Sequence, residues 1–205
     1  MMTLDEKIQQ EANTSDWMPE IKYSVFDQPD RDFYYRQEKA FIHKYKVFRA
    51  ISKVLQPKII TELGTCAGAS ADAYLDGVNY KAFYNGYDIC FPSAPLYIDG
   101  DNSICKSLFK DREFKAYKLF KKDLRTLTKV EKADLVVVDA MHDYRNCYQD
   151  LNLALTANPK HILIDDSIGD CIIQATNDWC ANHRKSVKAR DEIMHVTGAH
   201  LITLK

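Results

Sequence analysis

No stretch of this sequence approaches the ~20 consecutive apolar residues that a bilayer-crossing helix needs. Its opening Met-Met-Thr-Leu-Asp-Glu-Lys also lacks the basic-then-apolar order of a secretion signal. An excess of either charge is missing too. Lys and Arg number 28 against 29 Asp and Glu, a formal net charge of −1, which gives no general reason to expect nucleic acid or an anionic membrane as partner. The six cysteines (Cys66, Cys90, Cys105, Cys147, Cys171, Cys180) include no Cys-x-x-Cys pair, so they read as reduced thiols in a cytoplasmic protein, neither a zinc site nor a disulfide frame. What remains is a chain of 205 residues, long enough to bury a full core as one domain and ordinary in its apolar and charged fractions.

Residues 1–31 are polar, are broken by Pro19 and Pro29, and carry a few apolar anchors (Trp17, Met18, Tyr23, Phe26). They read as an N-terminal extension or lid, with a partly ordered tail as the plainer alternative. From Asp32 to Leu55 the pattern is helical, with Phe41, Tyr45, Phe48, Ile51 and Leu55 on one stripe, and Pro57 closes that helix. Strands and helices then alternate. Strands are expected at Lys58–Leu63, Lys81–Ile89, Tyr117–Lys122, Ala133–Val138 and His161–Ile164. Helices are expected at Ala69–Leu75, about Asn102–Phe109, His142–Leu155 and from Asp170 to about His183. Val187–Val196, a turn at Gly198 and Leu201–Leu204 read as a closing hairpin.

Such alternation predicts one α/β domain over residues 32–205, a doubly wound parallel sheet with ligands beyond the carboxyl ends of its strands. Those ends carry Glu62, Asp88, Asp123, Asp139 and Asp165-Asp166. One acidic strand end is ordinary turn chemistry; five in a row mark a site.

The segment Glu62-Leu63-Gly64-Thr65-Cys66-Ala67-Gly68, followed by Ala69-Ser70, is a glycine loop between a strand and a helix. A P-loop would need Gly-Lys-Ser/Thr at its end, and a dinucleotide fingerprint would need Gly-x-Gly-x-x-Gly; neither is present. A pyrophosphate here would also meet the like charge of Glu62. Glu-x-Gly-x-x-x-Gly suits a cofactor with no phosphate and an ammonium near the loop. Here the sequence resembles the class I S-adenosylmethionine-dependent methyltransferases, over roughly residues 32–205.

That resemblance implies a Rossmann-like, mostly parallel seven-stranded sheet with a C-terminal antiparallel hairpin. It implies S-adenosylmethionine contacts at Glu62, Gly64, Thr65, Gly68, Ser70, Asp88, Asp123 and Asp139. Asp88, ~20 residues past the loop, is where a carboxylate accepts ribose hydroxyls, and Asp123 is where the family contacts adenine. The Asn/Asp-Pro-Pro-Tyr/Phe stretch of amino-group methylases is absent after strand four. Asp139-Ala140-Met141-His142-Asp143-Tyr144 is instead similar to the macrocin and sugar O-methyltransferases and, more distantly, to catechol O-methyltransferase. In that branch Asp139, Asp165 and Asp166 would hold Mg²⁺, an ion suited to hard oxygen ligands, which would orient an acceptor hydroxyl and lower its pKa.

Some sugar O-methyltransferases place an acidic base two residues beyond the strand-four carboxylate. That position is Met141, so His142 is the candidate base, with Asp139 beside it in the catalytic role. Plainer readings stay open: His142 as a helix cap or packing group, and Asp165-Asp166-Ser167 as an N-cap. Asp143 and Asp150 read as helix surface. Lys106–Lys132 holds ten basic residues interleaved with acids, a solvated face or a docking face for RNA or an anionic acceptor. The expected activity is methyl transfer to a hydroxyl of a small molecule or sugar, with a homo-oligomer left open. An RNA or protein methyltransferase and a catalytically silent adenosyl-binding module are the alternatives.

Overall fold

The structure, a computed structural model, describes residues 2–19, 37–90 and 104–205. The expectations that fall on residues 20–36 and 91–103 lie outside it, among them Tyr23, Phe26 and the start of the first long helix.

The described chain opens with α1 (Leu4–Asn13), which sequence pattern had not assigned. A capping box starts it: the Thr3 side chain accepts from the Glu6 N–H at 3.2 Å, and the Glu6 carboxylate accepts from the Thr3 N–H at 2.7 Å. Its apolar residues Ile8 and Ala12 enter the main core. The long helix α2 (Glu38–Leu55) ends at Gln56, whose left-handed conformation and following Pro57 stop it where expected.

Then follow β1 (Ile59–Leu63), α3 (Ala69–Gly77), β2 (Phe83–Asp88), α4 (Ile104–Asp111), β3 (Tyr117–Lys121) and a 3₁₀ turn at Leu124–Thr126. The second half holds β4 (Leu135–Val138), α5 (Tyr144–Leu155), β5 (His161–Ile164), α6 (Asp170–Asn182), β6 (Val187–Ile193) and β7 (Ala199–Leu204).

All seven strands join one sheet in the order β3-β2-β1-β4-β5-β7-β6. The first five are parallel, and β7 and β6 run antiparallel as the closing hairpin. The chain reverses its direction of growth between β1 and β4, the place where such sheets open a crevice. No helix among the described residues is long and apolar enough to cross a membrane. All six cysteines are free.

Alternation along the strands sends side chains to two cores. Ile60, Leu135, Val137, Leu163 and Leu201 face the layer that contains α1–α4, packing with Phe48 and Tyr74. Val136, Val138, Ile162, Ile164 and Ile202 face α5 and α6, around Leu151 and Trp179. This two-sided burial is what the apolar run of β4 requires.

Gly64 holds the crevice together at the switch point. Its φ is +101°, and a Cβ there would lie 2.1 Å from the carbonyl oxygen of Asp139. The loop after β1 thus packs directly on the end of β4, so Gly64→Ala must strain the turn and push the two strand ends apart. The expected cost is ~3 kcal/mol or more, read from the urea midpoint at constant slope. A midpoint unchanged within error would show that the loop is not wedged there.

Candidate active site

The glycine loop turns through three left-handed residues, Gly64 (φ +101°), Cys66 (+47°) and Gly68 (+85°). Beneath it, Glu62 is fully buried. The Tyr84 hydroxyl donates to its Oε2, while Oε1 has no hydrogen-bond partner of good geometry. Burial pushes the Glu62 carboxyl up to about 8, against the pull of the Tyr84 hydrogen bond. Thr65, also buried, has its hydroxyl 3.0 Å from that of Tyr84. Ser70 is buried in the first turn of α3.

A cleft of about 340 Å³ opens in front of the loop, lined among others by Gly64, Asp88, Asp123, Asp139, Met141 and Asp150. Asp88 is held to the loop: its Oδ2 accepts from the Cys66 N–H at 2.8 Å and its Oδ1 from the Cys90 N–H at 3.1 Å. Asp123 caps the 3₁₀ turn and pairs with Arg125, Nε to Oδ1 at 2.8 Å and Nη2 to Oδ2 at 2.7 Å. These bonds hold its carboxyl below the usual range. Four of the expected cofactor residues (Gly64, Asp88, Asp123, Asp139) therefore share the cleft wall, whereas Glu62, Thr65, Gly68 and Ser70 do not line it.

A second group adjoins the cleft through Asp139. His142 is about half exposed, and its Nε2 lies 3.5 Å from Asp139 Oδ1 and 3.1 Å from Asp166 Oδ2. The hydrogen bond to Asp139 raises the imidazole pKa above its ordinary value, helped by the charges of Asp166 and Asp139 and opposed by burial. Burial raises Asp139, with His142 and Lys44 opposing. His142 precedes its helix instead of opening it: Asp143 is the N-cap, accepting from the Asn146 N–H at 3.0 Å.

The three side chains expected to bind Mg²⁺ do not assemble as a set. The alternation that points Leu163 at the α1–α4 layer carries Asp165 to the same side, where its Oδ2 meets Lys44 Nζ at 2.6 Å and its Oδ1 meets His195 Nε2 at 3.5 Å. Burial raises the Asp165 carboxyl against the pull of Lys44. Asp166, at φ +53°, reaches the same ammonium and bridges Lys44 (3.0 Å) and His142 (3.1 Å). Burial opposes ionisation of Asp166, but Lys44 prevails and holds it below the usual range. The donor atoms that do converge, within 4.8 Å of one another, belong to Asp139, His142 and Asp166. Two carboxylates and an imidazole, one carboxylate already bound to an ammonium, are a poor match for Mg²⁺, which favours oxygen ligands in a near-ideal octahedron.

Two participants escaped sequence reasoning. Lys44 is buried on α2, three residues after Phe41 and four before Phe48, so a charge on an apolar stripe was the available signal. Asp150, expected on the surface of α5, is instead buried against the cleft, 4% exposed and without a hydrogen-bond partner among the described residues.

No protein-family model matches this sequence, and neither does any curated protein. Solved structures do match its fold. The O-methyltransferase TomG of Streptomyces achromogenes, in complex with S-adenosylmethionine, superposes with a TM-score of 0.60 at 12% identity over 100% of both chains. The O-methyltransferase of Bacillus cereus, in complex with S-adenosylhomocysteine, gives 0.60 at 15% identity over 96% of each chain. The S-adenosylhomocysteine-bound methyltransferase PaMTH1 of Podospora anserina gives 0.59 at 14% identity, over 100% of this chain and 98% of that one. The fold is that of the class I S-adenosylmethionine-dependent methyltransferases. Its crevice at the β1/β4 switch point coincides in this chain with the acidic cleft.

Asp150 gives this methyltransferase fold a measurable pH signature. Burial, with Asp143 nearby, raises its carboxyl from 3.8 to about 7. Between those values the folded state holds a proton that the unfolded state has lost, so stability falls as pH rises through that window. Asp150→Asn removes the penalty. It should raise the melting temperature by roughly 2–5 °C at about pH 8 and by less at about pH 5. Equal shifts at both pH values would mean that Asp150 is ionised without penalty.

Proposed function

We propose that this protein transfers a methyl group from S-adenosylmethionine to a hydroxyl of a small molecule or sugar. The observation that carries the reading is a histidine held by two carboxylates beside an acidic cleft: His142 between Asp139 and Asp166, with Asp139 shared by both.

The cleft chemistry fits the cofactor. Asp88 and Asp123 present carboxylate oxygens where hydroxyl and amino groups of a nucleoside can donate to them. Gly64 takes the left-handed turn that packs the loop on the end of β4 and leaves its backbone in the cleft wall. When bound, S-adenosylmethionine supplies a methyl group on a positively charged sulfur, open to in-line displacement.

The remaining work is the chain's own. His142 takes the acceptor's proton onto its imidazole, and the resulting positive charge is shared between Asp139 and Asp166. The raised basicity of His142 favours that transfer. Met141 and Ala140 give the cleft an apolar wall beside the proton-transfer group.

The Lys106–Lys132 run supports a small acceptor over RNA. Lys118 and Lys121 are exposed on β3, an edge strand of the sheet, where lysines discourage pairing with other strands.

Transfer of labelled methyl from S-adenosylmethionine to a panel of catechols, phenols and sugars tests this reading. Label should appear in a hydroxylated small molecule, and His142→Asn should lower kcat by ~10²-fold while leaving cofactor affinity unchanged. Label found only in RNA or protein, falling steeply with salt, would contradict it. Cofactor binding with no transfer to any acceptor would point to a silent adenosyl-binding module.

A further inference from the structure

A lysine in the apolar stripe of a long helix is out of place unless something repays its burial. Lys44 occupies such a position. Its side chain is 9% exposed, and Val47, Phe48 and Ile51 of the same helix are fully buried in the main core. The Nζ lies 2.6 Å from Asp165 Oδ2, 3.0 Å from Asp166 Oδ1 and 5.5 Å from the centre of the Phe48 ring. One ammonium thus spans the two consecutive carboxylates that follow β5. Through Asp166 it reaches His142, and through His142 it reaches Asp139.

Among the described residues, the other neighbours of this pair supply no positive charge. His195 Nε2 faces Asp165 from the turn between β6 and β7, but burial and Lys44 depress its pKa to about 3, so it stays neutral. Thr197 Oγ1 stands 3.5 Å from Asp165 Oδ1. Among the described residues, the positive charge on the two carboxylates comes from Lys44, with His142 adding to it when protonated.

A divalent ion ligated by Asp165 and Asp166 together would have to take the place of Nζ, and one placed on Asp166 alone would face the ammonium across that carboxylate. We propose that Lys44 is the resident cation of the acceptor site, a positioning residue that holds Asp165 and Asp166 in place of a divalent metal, so that the site binds such a metal only when Lys44 is removed. The inference rests on reading the cleft and its His142 group as the methyl-transfer site, yet its test does not depend on turnover.

Mn²⁺ serves as the probe, with bound and free ion distinguished by electron paramagnetic resonance. Ion bound equally by Asp166→Asn is surface binding and is subtracted. The wild-type protein should bind no Mn²⁺ at this site at millimolar concentration. Lys44→Met should gain one site, at least ~10-fold tighter than anything in wild type. Lys44→Arg should remain without one, because it restores the charge. Adding Asp165→Asn to Lys44→Met should weaken the new site.

A wild-type site abolished by Asp166→Asn would overturn the proposal, as would a folded Lys44→Met that gains nothing. If Lys44→Met fails to fold, Lys44→Gln and the wild-type titration decide by the same criteria. Binding of S-adenosylhomocysteine is measured in parallel. Its failure would remove the cofactor reading and leave the Mn²⁺ result intact.

Discussion

Five parallel strands bring acidic ends to one edge of a sheet, and a buried lysine from outside that sheet holds the last of them. Lys44 between Asp165 and Asp166 is the contact on which the rest of the site depends. Carboxylates placed this close repel one another, and burial raises the cost of ionising them, as it does for Glu62, Asp139 and Asp165. Three carboxylates pull in turn on the Lys44 ammonium and keep it charged despite its burial. Removing one partner of such a buried pair typically costs ~3–5 kcal/mol. Helix α2 is therefore part of the site's electrostatics. Helix α1 supports α2 through Glu11, which reaches Lys53 at 2.5 Å, and it touches the β6–β7 turn through the bond from Gln9 Nε2 to the Met194 carbonyl at 2.8 Å.

The cleft and the charge cluster divide the labour of the strand ends. Ends near the switch point (Gly64, Asp88, Asp123) face the cleft and present hydrogen-bond acceptors to it. Ends on the other side (Asp165, Asp166) are neutralised internally by the lysine. Asp139 belongs to both halves, lining the cleft and lying 3.5 Å from the candidate base His142.

Much of this was legible in the sequence because periodicity and punctuation carry it. The apolar runs of β1, β4 and β5, the glycines at 64 and 68, and the stop at Pro57 all agree with the observed elements to within a few residues. Two local signals were present and went unread. Thr3 followed by Glu6 is the capping-box spacing that starts α1, and Lys44 interrupts the stripe from Phe41 to Phe48. The Mg²⁺ expectation depended instead on three carboxylates pointing at one spot. Strand alternation sends Asp165 to α2, and a left-handed Asp166 places its carboxylate between Lys44 and His142, a turn that no pattern of residue types announces. Asp150 was lost for a similar reason: the helix surface that it shares is covered by the cleft wall, and only the packed fold shows it.

The central claim is that the acidic cleft at the switch point is an adenosyl site built around Asp88. Calorimetric titration of the wild-type protein and of Asp88→Ala with S-adenosylhomocysteine tests it most directly. The account predicts one site per chain in the wild type and at least ~10-fold weaker binding in the variant, since a lost charge-assisted hydrogen-bond acceptor is worth ~1.5–3 kcal/mol. Failure of the wild type to bind, or equal binding by both proteins, would contradict it.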